Sequence, residues 1–168
     1  KPMVDFVPPP PFALPPELPF TQQALDAADA LFPYSQEHSL KQITRRRAQG
    51  FTPDETANIL GLVKARTRAL SKFGDRARTM FLTEHGAQQA TRPVVAAEHA
   101  AVFARAGVRS VADLGCGIGA DSLEFARASL ATVSVELDPL TASFAAANLA
   151  DFSGSRVVVG DVTNFDPE

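Results

Sequence analysis

A glycine-rich stretch behind an apolar run holds the residues of this sequence best suited to chemistry. Residues 111–121 read Val-Ala-Asp-Leu-Gly-Cys-Gly-Ile-Gly-Ala-Asp, which predicts a buried β-strand followed by a turn through alternate glycines. An apolar helix is expected over residues 122–128. Glycines allow positive φ and a close approach of a ligand to the backbone, and the first turn of the helix offers unpaired N–H groups. Together these elements predict a nucleotide-type site at the carboxyl end of a parallel strand.

The glycine spacing and a nearby acid indicate which kind of nucleotide this site would hold. Gly115, Gly117 and Gly119 give Gly-x-Gly-x-Gly, whereas the dinucleotide fingerprint is Gly-x-Gly-x-x-Gly. Asp113 lies two residues before the first glycine, where a carboxylate would repel a pyrophosphate and attract an ammonium group. S-adenosylmethionine (SAM), which has an amino group and a sulfonium, suits such a position.

Two later segments repeat the pattern of an apolar strand that ends in an acid. Residues 132–136 predict a second strand ending in Glu136, and residues 157–161 predict a third ending in Asp161. Between them Asp138 and Pro139 open a helix. A carboxylate at the end of the second strand can accept hydrogen bonds from ribose hydroxyls. For each acid taken singly, a solvated loop position is the alternative.

The segment Asp-Leu-Gly-Cys-Gly-Ile-Gly-Ala-Asp, residues 113–121, resembles motif I of the class I SAM-dependent methyltransferases. The resemblance implies an α/β, Rossmann-like fold and SAM as cofactor, with the ribose at Glu136 and the adenine amino group at Asp161. The residues that it assigns to the cofactor are Asp113, Gly115, Cys116, Gly117, Gly119, Asp121, Glu136, Asp138 and Asp161. An ordinary strand–turn–helix connection with glycines for packing is the alternative.

Composition fits a globular protein of one domain or two small ones. The chain has 168 residues, of which 45% are apolar and 21% charged. It contains neither an apolar run near the roughly 20 residues of a membrane span nor a signal-peptide pattern. The single cysteine, Cys116, excludes an internal disulfide and fits a reducing compartment such as the cytoplasm, and we interpret it as a packing residue. His38, His85 and His99 lack metal-ligand spacing, so no metal is expected.

The chain divides into three predicted parts. Residues 1–20 carry eight prolines and predict an extended arm lying on the helical region, with a proline-motif ligand as the alternative. Residues 21–106 predict a helical domain, and residues 107–168 predict a SAM-binding, Rossmann-like half domain. The expected helices run from Thr21 to Pro33, from Ser35 to Ala48, from Thr52 to Lys72, over 75–81 and from Pro93 to Ala106, with a loop around Gly86.

Positive charge is concentrated in the predicted helical domain. Between residues 41 and 78 there are ten basic and three acidic residues, a net charge of +7, while the remainder of the chain has a net charge of −10. A basic appendage beside an acidic cofactor domain indicates polyanion binding, and a solvated helix surface is the equally weighted alternative. The candidate nucleic-acid residues are Arg45, Arg46, Arg47, Lys64, Arg68 and Lys72.

A second resemblance covers the segment before the glycine-rich stretch. Residues 72–100 are similar to bacterial methyltransferases that carry a THUMP-like domain, on the motifs Lys-Phe, Met-Phe and Gln-Gln-Ala-Thr. That group is related to the trimethylguanosine synthases, in which a glycine and a threonine are separated by four residues. Gly86 and Thr91 keep this spacing, although Ala87 and Gln88 replace the aromatic pair that follows the glycine in the synthases. The resemblance implies RNA as the substrate class and a lid formed by Gln88, Gln89 and Thr91. Alternatively, Thr91 caps the following helix.

The resemblance also implies that the sequence is the N-terminal part of a longer enzyme. Three of the seven strands of the family are recognisable, and Asp166-Pro167 comes too early to be the family's acceptor motif. No catalytic residue can therefore be assigned, and we expect this 168-residue portion to be inactive alone. The predicted strand 110–114 would then be an open edge, through which copies could associate.

Three classes of function fit the sequence to different degrees. The first is a SAM-dependent methyltransferase acting on RNA, represented here by its cofactor-binding half. The second is a non-enzymatic module that binds nucleic acid and senses the cofactor. The third, a nicotinamide-dependent oxidoreductase, is disfavoured by the glycine spacing and by Asp113.

Overall fold

The computed structural model describes residues 7–36 and 39–166, with the backbone alone at positions 39, 40, 42 and 43. The described residues form two compact units, a helical unit of residues 18–88 and a sheet unit of residues 7–17 and 89–166. The elements in chain order are α1 (Gln22–Leu31), α2 (Ser39–Ala48), α3 (Pro53–Phe73), α4 (Glu84–Gln89), α5 (Pro93–Arg105), β1 (Ser110–Leu114), α6 (Ala120–Arg127), β2 (Ala131–Glu136), α7 (Pro139–Asn148) and β3 (Ser155–Val159), with 3₁₀ turns at Gly74–Arg78 and Val162–Asn164.

The sheet unit contains a parallel sheet in the order β1-β2-β3. Asp113 is in register with Ser134, and Ser134 with Val157, so these three residues share one face of the sheet. The connecting helices α6 and α7 cover that face, where the core consists of Leu123, Ala142, Ala145, Leu149 and Val157. The predicted α/β class, a helical part followed by three parallel strands of a Rossmann-like fold, is confirmed.

β1 differs from the predicted buried strand. It is one edge strand of the sheet within the described residues, and its residues alternate between exposed and half-buried. Leu114 is 50% exposed. β1 is therefore half-buried rather than fully buried, and it lies at an open edge as expected, because an apolar strand is buried on both faces only where a neighbour and two covering layers are present.

The helical unit has its own core, to which α1 and α3 contribute Ala24, Ala27, Ala28, Ile59, Leu62 and Val63. Thr52 and Glu55 form the predicted capping box at the start of α3, since each side chain accepts from the other's backbone N–H. α2 begins at Ser39 rather than just after Ser35, and residues 37 and 38 lie outside the described residues. Gly86 belongs to α4 rather than to a loop.

Only part of the proline-rich segment lies where it is predicted. Ala13 forms an antiparallel bridge with Val159 at the end of β3, so residues 7–17 belong to the sheet unit, whereas Phe20 packs against the core of the helical unit. Residues 1–6 of the predicted arm lie outside the described residues.

The units also divide the chain at a different point from the predicted boundary at residue 106. α5 falls within the sheet unit because it packs against α6. Phe103 of α5 and Phe125 of α6 meet edge to face, with ring centroids 5.6 Å apart.

Candidate functional site

The glycine loop between β1 and α6 folds over the carboxyl end of β2. Gly115, Gly117 and Gly119 all have positive φ, at 84°, 56° and 81°. The N–H groups of Gly115 and Cys116 both donate to the Val135 carbonyl, at 2.8 and 3.0 Å. L-amino acids with a side chain rarely adopt this backbone conformation, so the alternate glycines are what allows the loop to turn in this way.

Contacts with α7 fix the far side of the loop. A Cβ at Gly119 would lie 3.5 Å from the Ala145 Cβ and 3.6 Å from Leu149 Cδ1, so the loop packs directly on the helix. The Asn148 side chain donates to the Ile118 carbonyl at 2.9 Å. Sequence reasoning missed Asn148, for which a lone amide at the end of an apolar helix was the available signal.

Glu136 joins the glycine loop to the segment after β2. Its Oε2 accepts from the Gly117 N–H and its Oε1 from the Asp138 N–H, both at 2.9 Å. The side chain is half-buried. The predicted ribose ligand therefore lies at the carboxyl end of the sheet beside the loop. A carboxylate has about four acceptor positions, so it can accept from hydroxyls as well.

Asp113 faces α6 from the buried side of β1. The Ser122 hydroxyl donates to its Oδ2, and the hydroxyls of Ser122 and Ser134 are 2.8 Å apart. Because a hydroxyl has one proton, Ser134 must donate to Ser122. Burial raises the pKa of Asp113, the Ser122 hydrogen bond opposes the rise, and the charges of Asp121 and Glu136 add to it.

Asp121 lies in the first turn of α6 and pairs with a residue that the sequence did not single out. The Oδ1 of Asp121 is 2.7 Å from Nδ1 of His99, which projects from α5. Sequence reasoning missed this pair, because the 22 positions between His99 and Asp121 offer no local signal. The pair ties α5 to the start of α6.

Two of the predicted cofactor acids serve as helix caps. Asp138 caps α7, with its Oδ2 accepting from the N–H and hydroxyl of Thr141. Asp161 caps the 3₁₀ turn and accepts from the N–H and hydroxyl of Thr163. These hydrogen bonds lower the pKa of both aspartates. The third strand does not end in Asp161 as predicted, because β3 ends at Val159.

Cys116 has the environment of a packing residue. It is half-buried against the cluster formed by α6, α7 and β3. Burial, with the nearby charges of Asp113 and Glu136, raises the pKa of its thiol. A thiol held in this way is a poor nucleophile.

Comparison with known proteins adds a loose structural likeness. No protein-family model matches the chain, and none of the curated proteins matches it. Among solved structures it is similar to coclaurine N-methyltransferase bound to N-methylheliamine and SAH, with a TM-score of 0.38 and 16% sequence identity. The alignment covers 86% of this chain and 49% of that chain, so the chain spans about half the length of that protein. A likeness this loose says nothing about the ligand, which must be argued from the residues.

The predicted nucleic-acid residues at the end of α2 are not equivalent. Arg45 and Arg47 are exposed, whereas Arg46 is 8% exposed and donates to Gln49 Oε1 at 2.7 Å. Burial, with the charge of Arg45, lowers the pKa of the Arg46 guanidinium. Arg46 is therefore a packing residue rather than part of an exposed basic surface, which corrects the prediction for it.

The basic residues of α3 have partners within the helical unit. Lys72 donates to the Ala87 and Gln88 carbonyls at 2.8 and 2.9 Å and so caps the end of α4. Arg68 pairs with Glu84, and the Lys64 ammonium lies 5.0 Å from the centre of the Tyr34 ring. Arg68 and Lys64 keep exposed surface, but Lys72 has a structural role at the helix end.

The predicted lid residues lie around the start of α5. Gln88 and Gln89 have exposed side chains at the end of α4. Thr91 does not cap α5, because Arg92 occupies the capping position. The lid itself stays a prediction.

Other kinds of site find little support in the part of the chain that the structure describes. No group of His, Cys, Asp and Glu side chains there could hold a metal ion. Nor is any described helix both long and apolar enough to cross a bilayer. An open depression lined by Ser129, Ala131 and Asp151 lies at the amino ends of β2 and β3, opposite the edge where parallel sheets bind ligands.

Proposed function

We propose that the sheet unit binds SAM and is the cofactor-binding part of a SAM-dependent methyltransferase. The observation that supports it is a loop of three positive-φ glycines beside three carboxylates, those of Asp113, Asp121 and Glu136. Charge of this sign disfavours a pyrophosphate and favours a ligand with a cationic end. Bound SAM would bring a sulfonium-activated methyl group to this edge.

Each group of this site has a proposed part in holding the ligand. The hydroxyls of the ribose would donate to Glu136, which already stands beside the loop. The ammonium group would lie near Asp113, because a cation there would offset the cost of burying the carboxylate charge. Asp161 is proposed for the adenine amino group, because it follows β3 at the same edge of the sheet.

The acceptor is proposed to be RNA. Arg45 and Arg47, here called the α2 arginines, are exposed and adjacent to one helix end, which supports phosphate binding. The pattern of residues 72–100 supports the narrower placement with the bacterial THUMP-like methyltransferases, relatives of the trimethylguanosine synthases. Cytoplasmic location is proposed because the chain has a single cysteine.

Isothermal titration with SAM, S-adenosylhomocysteine (SAH) and NAD tests the cofactor proposal. We expect SAM and SAH to bind and NAD to bind more weakly than SAH. Tighter binding of NAD would contradict the proposal.

A further inference from the structure

The proline-rich arm brings an aromatic ring to the carboxyl end of β3. The Ala13 N–H donates to the Val159 carbonyl at 3.0 Å, and the Val159 N–H donates to the Ala13 carbonyl at 2.8 Å. These two hydrogen bonds fix the arm against the end of the strand. Phe12, the preceding residue, is thereby held beside Gly160.

The ring of Phe12 requires that residue 160 have no side chain. A Cβ built on Gly160 would lie 2.3 Å from Cδ1 and 2.7 Å from Cε1 of Phe12, far inside van der Waals contact. Gly160 also donates its N–H to the Glu136 carbonyl at 3.0 Å. The ring therefore lies against the backbone of Gly160, which is hydrogen-bonded to the end of β2. This is the edge of the sheet that the proposed cofactor would occupy.

A second ring lies beside the first. Phe165 follows the 3₁₀ turn after β3 and meets Phe12 edge to face, with centroids 6.2 Å apart and planes at 75°. Both rings are half-buried, so each keeps surface that a ligand could cover. Asp161, the residue proposed for the adenine amino group, lies between Gly160 and Phe165 in the chain.

We infer that Phe12 forms one wall of the adenine subsite, so that the arm is part of the cofactor site rather than a cover for the sheet edge. The inference rests on the proposed function, because it assigns the subsite to the adenine of SAM. A purine ring offers two π-faces, and aromatic side chains hold nucleobases by stacking or edge contact. The arm would supply such a surface next to the Asp161 carboxylate, which can accept from an amino group.

The chain contains no tryptophan, which provides a direct probe. Phe12→Trp places a single indole at the inferred wall, and Phe103→Trp places one on α5, where residue 103 contacts Phe125 instead. We expect SAH and adenosine to quench or shift the indole emission of the Phe12→Trp variant, whereas methionine should not. The indole emission of the Phe103→Trp variant should stay constant with all three.

Two further variants separate stacking from a loss of structure. Gly160→Ala should push the ring aside, while Gly154→Ala at the amino end of β3 has open space, since its nearest neighbour is the Ala131 Cα at 4.0 Å. Phe12→Ala and Gly160→Ala should weaken SAH binding roughly 5- to 150-fold, the range of one lost base–aromatic stack. Gly154→Ala should bind SAH as the parent does, and thermal melts identify any variant that does not fold.

The outcomes distinguish this inference from the proposal on which it rests. If the parent and all variants fail to bind SAH, the proposed function falls and this inference with it. If the parent binds SAH but the emission of the Phe12→Trp variant does not respond, Phe12 is not in the subsite and this inference alone is overturned. Tighter SAH binding by Phe12→Ala would also overturn it, because the arm would then occupy the site rather than line it.

Discussion

The Gly117 N–H donates to Oε2 of Glu136 across 2.9 Å, joining the glycine loop to the end of β2. The second oxygen of Glu136 accepts from Asp138, so one carboxylate holds two backbone segments at the ligand edge of the sheet. Its position depends on the positive φ of Gly117, and the loop conformation depends in turn on this acceptor. Loop geometry and ligand binding are therefore expected to respond together when Glu136 is changed.

Glu136→Ala should weaken SAH binding by about 1–3 kcal/mol, because two ribose hydroxyls and the loop N–H lose an acceptor. Glu98→Ala, an exposed change on α5, should leave the affinity unchanged. Titration calorimetry on both variants makes the comparison. Equal affinities of Glu136→Ala and the parent would exclude Glu136 as the ribose ligand.

Asp113→Asn should separate stability from binding. Burial raises the pKa of the folded Asp113 above that of the unfolded chain, so its contribution to stability is lost as pH rises from about 4 through the raised value. Asparagine carries no charge and can still accept from Ser122. We expect the variant to melt no lower than the parent at pH 7, and its advantage to shrink as pH falls toward 4.

The same substitution should weaken SAH binding about tenfold at pH 7, because an ammonium group loses its counter-charge. Thermal melts across pH, together with calorimetry at pH 7, supply the two readouts. A variant that melts lower and binds SAH as tightly as the parent would show that Asp113 serves structure rather than the ligand.

Gly119→Ala should destabilise the chain by about 1–2 kcal/mol, since φ of 81° is strained for alanine although its Cβ would make ordinary contacts. Gly61→Ala is the matched opposite, because Gly61 lies inside α3 with nothing within 4 Å of an added Cβ. It should stabilise by about 0.5–1 kcal/mol. Denaturant unfolding measures the change in the free energy of unfolding for both variants. Changes of the same sign would contradict the conclusion that the loop backbone needs glycine at residue 119.

Reversing the α2 arginines, Arg45→Glu with Arg47→Glu, should abolish most RNA binding without unfolding the chain. If each contacts one phosphate of a single strand, the slope of log affinity against log salt should fall by about 1.4. Arg92→Glu with Arg105→Glu changes the net charge equally at other exposed positions and serves as the control. RNA binding that is independent of salt would favour a solvated helix surface.

Self-association is expected through β1, one edge strand of the described sheet, whose backbone can pair with a second copy. Ala112→Lys puts a charge on an exposed position of that strand and should reduce association. Ala97→Lys, exposed on α5, changes the net charge equally and should not. Light scattering across concentration decides, and a monodisperse monomeric parent would contradict the prediction.

Local chemistry allowed much of the fold to be predicted. The alternate glycines at 115, 117 and 119 predicted a turn with positive φ, and Thr52 with Glu55 predicted the start of α3. These signals act within a few residues, where steric limits and capping hydrogen bonds depend on the sequence alone. Apolar runs separated by helices likewise predicted parallel strands in chain order.

Tertiary structure decided what each polar side chain does. Sequence patterns could not tell Glu136, which holds the glycine loop, from Asp138 and Asp161, which cap the segments after them. Some partners lie far apart in the sequence, as His99 and Asp121 do. Phe12 and Gly160, which are in contact, are separated by most of the length of the chain. Such pairs arise from how the elements pack. The burial of Asp113, the direction of its pKa shift and the position of the arm were therefore decided by the tertiary structure.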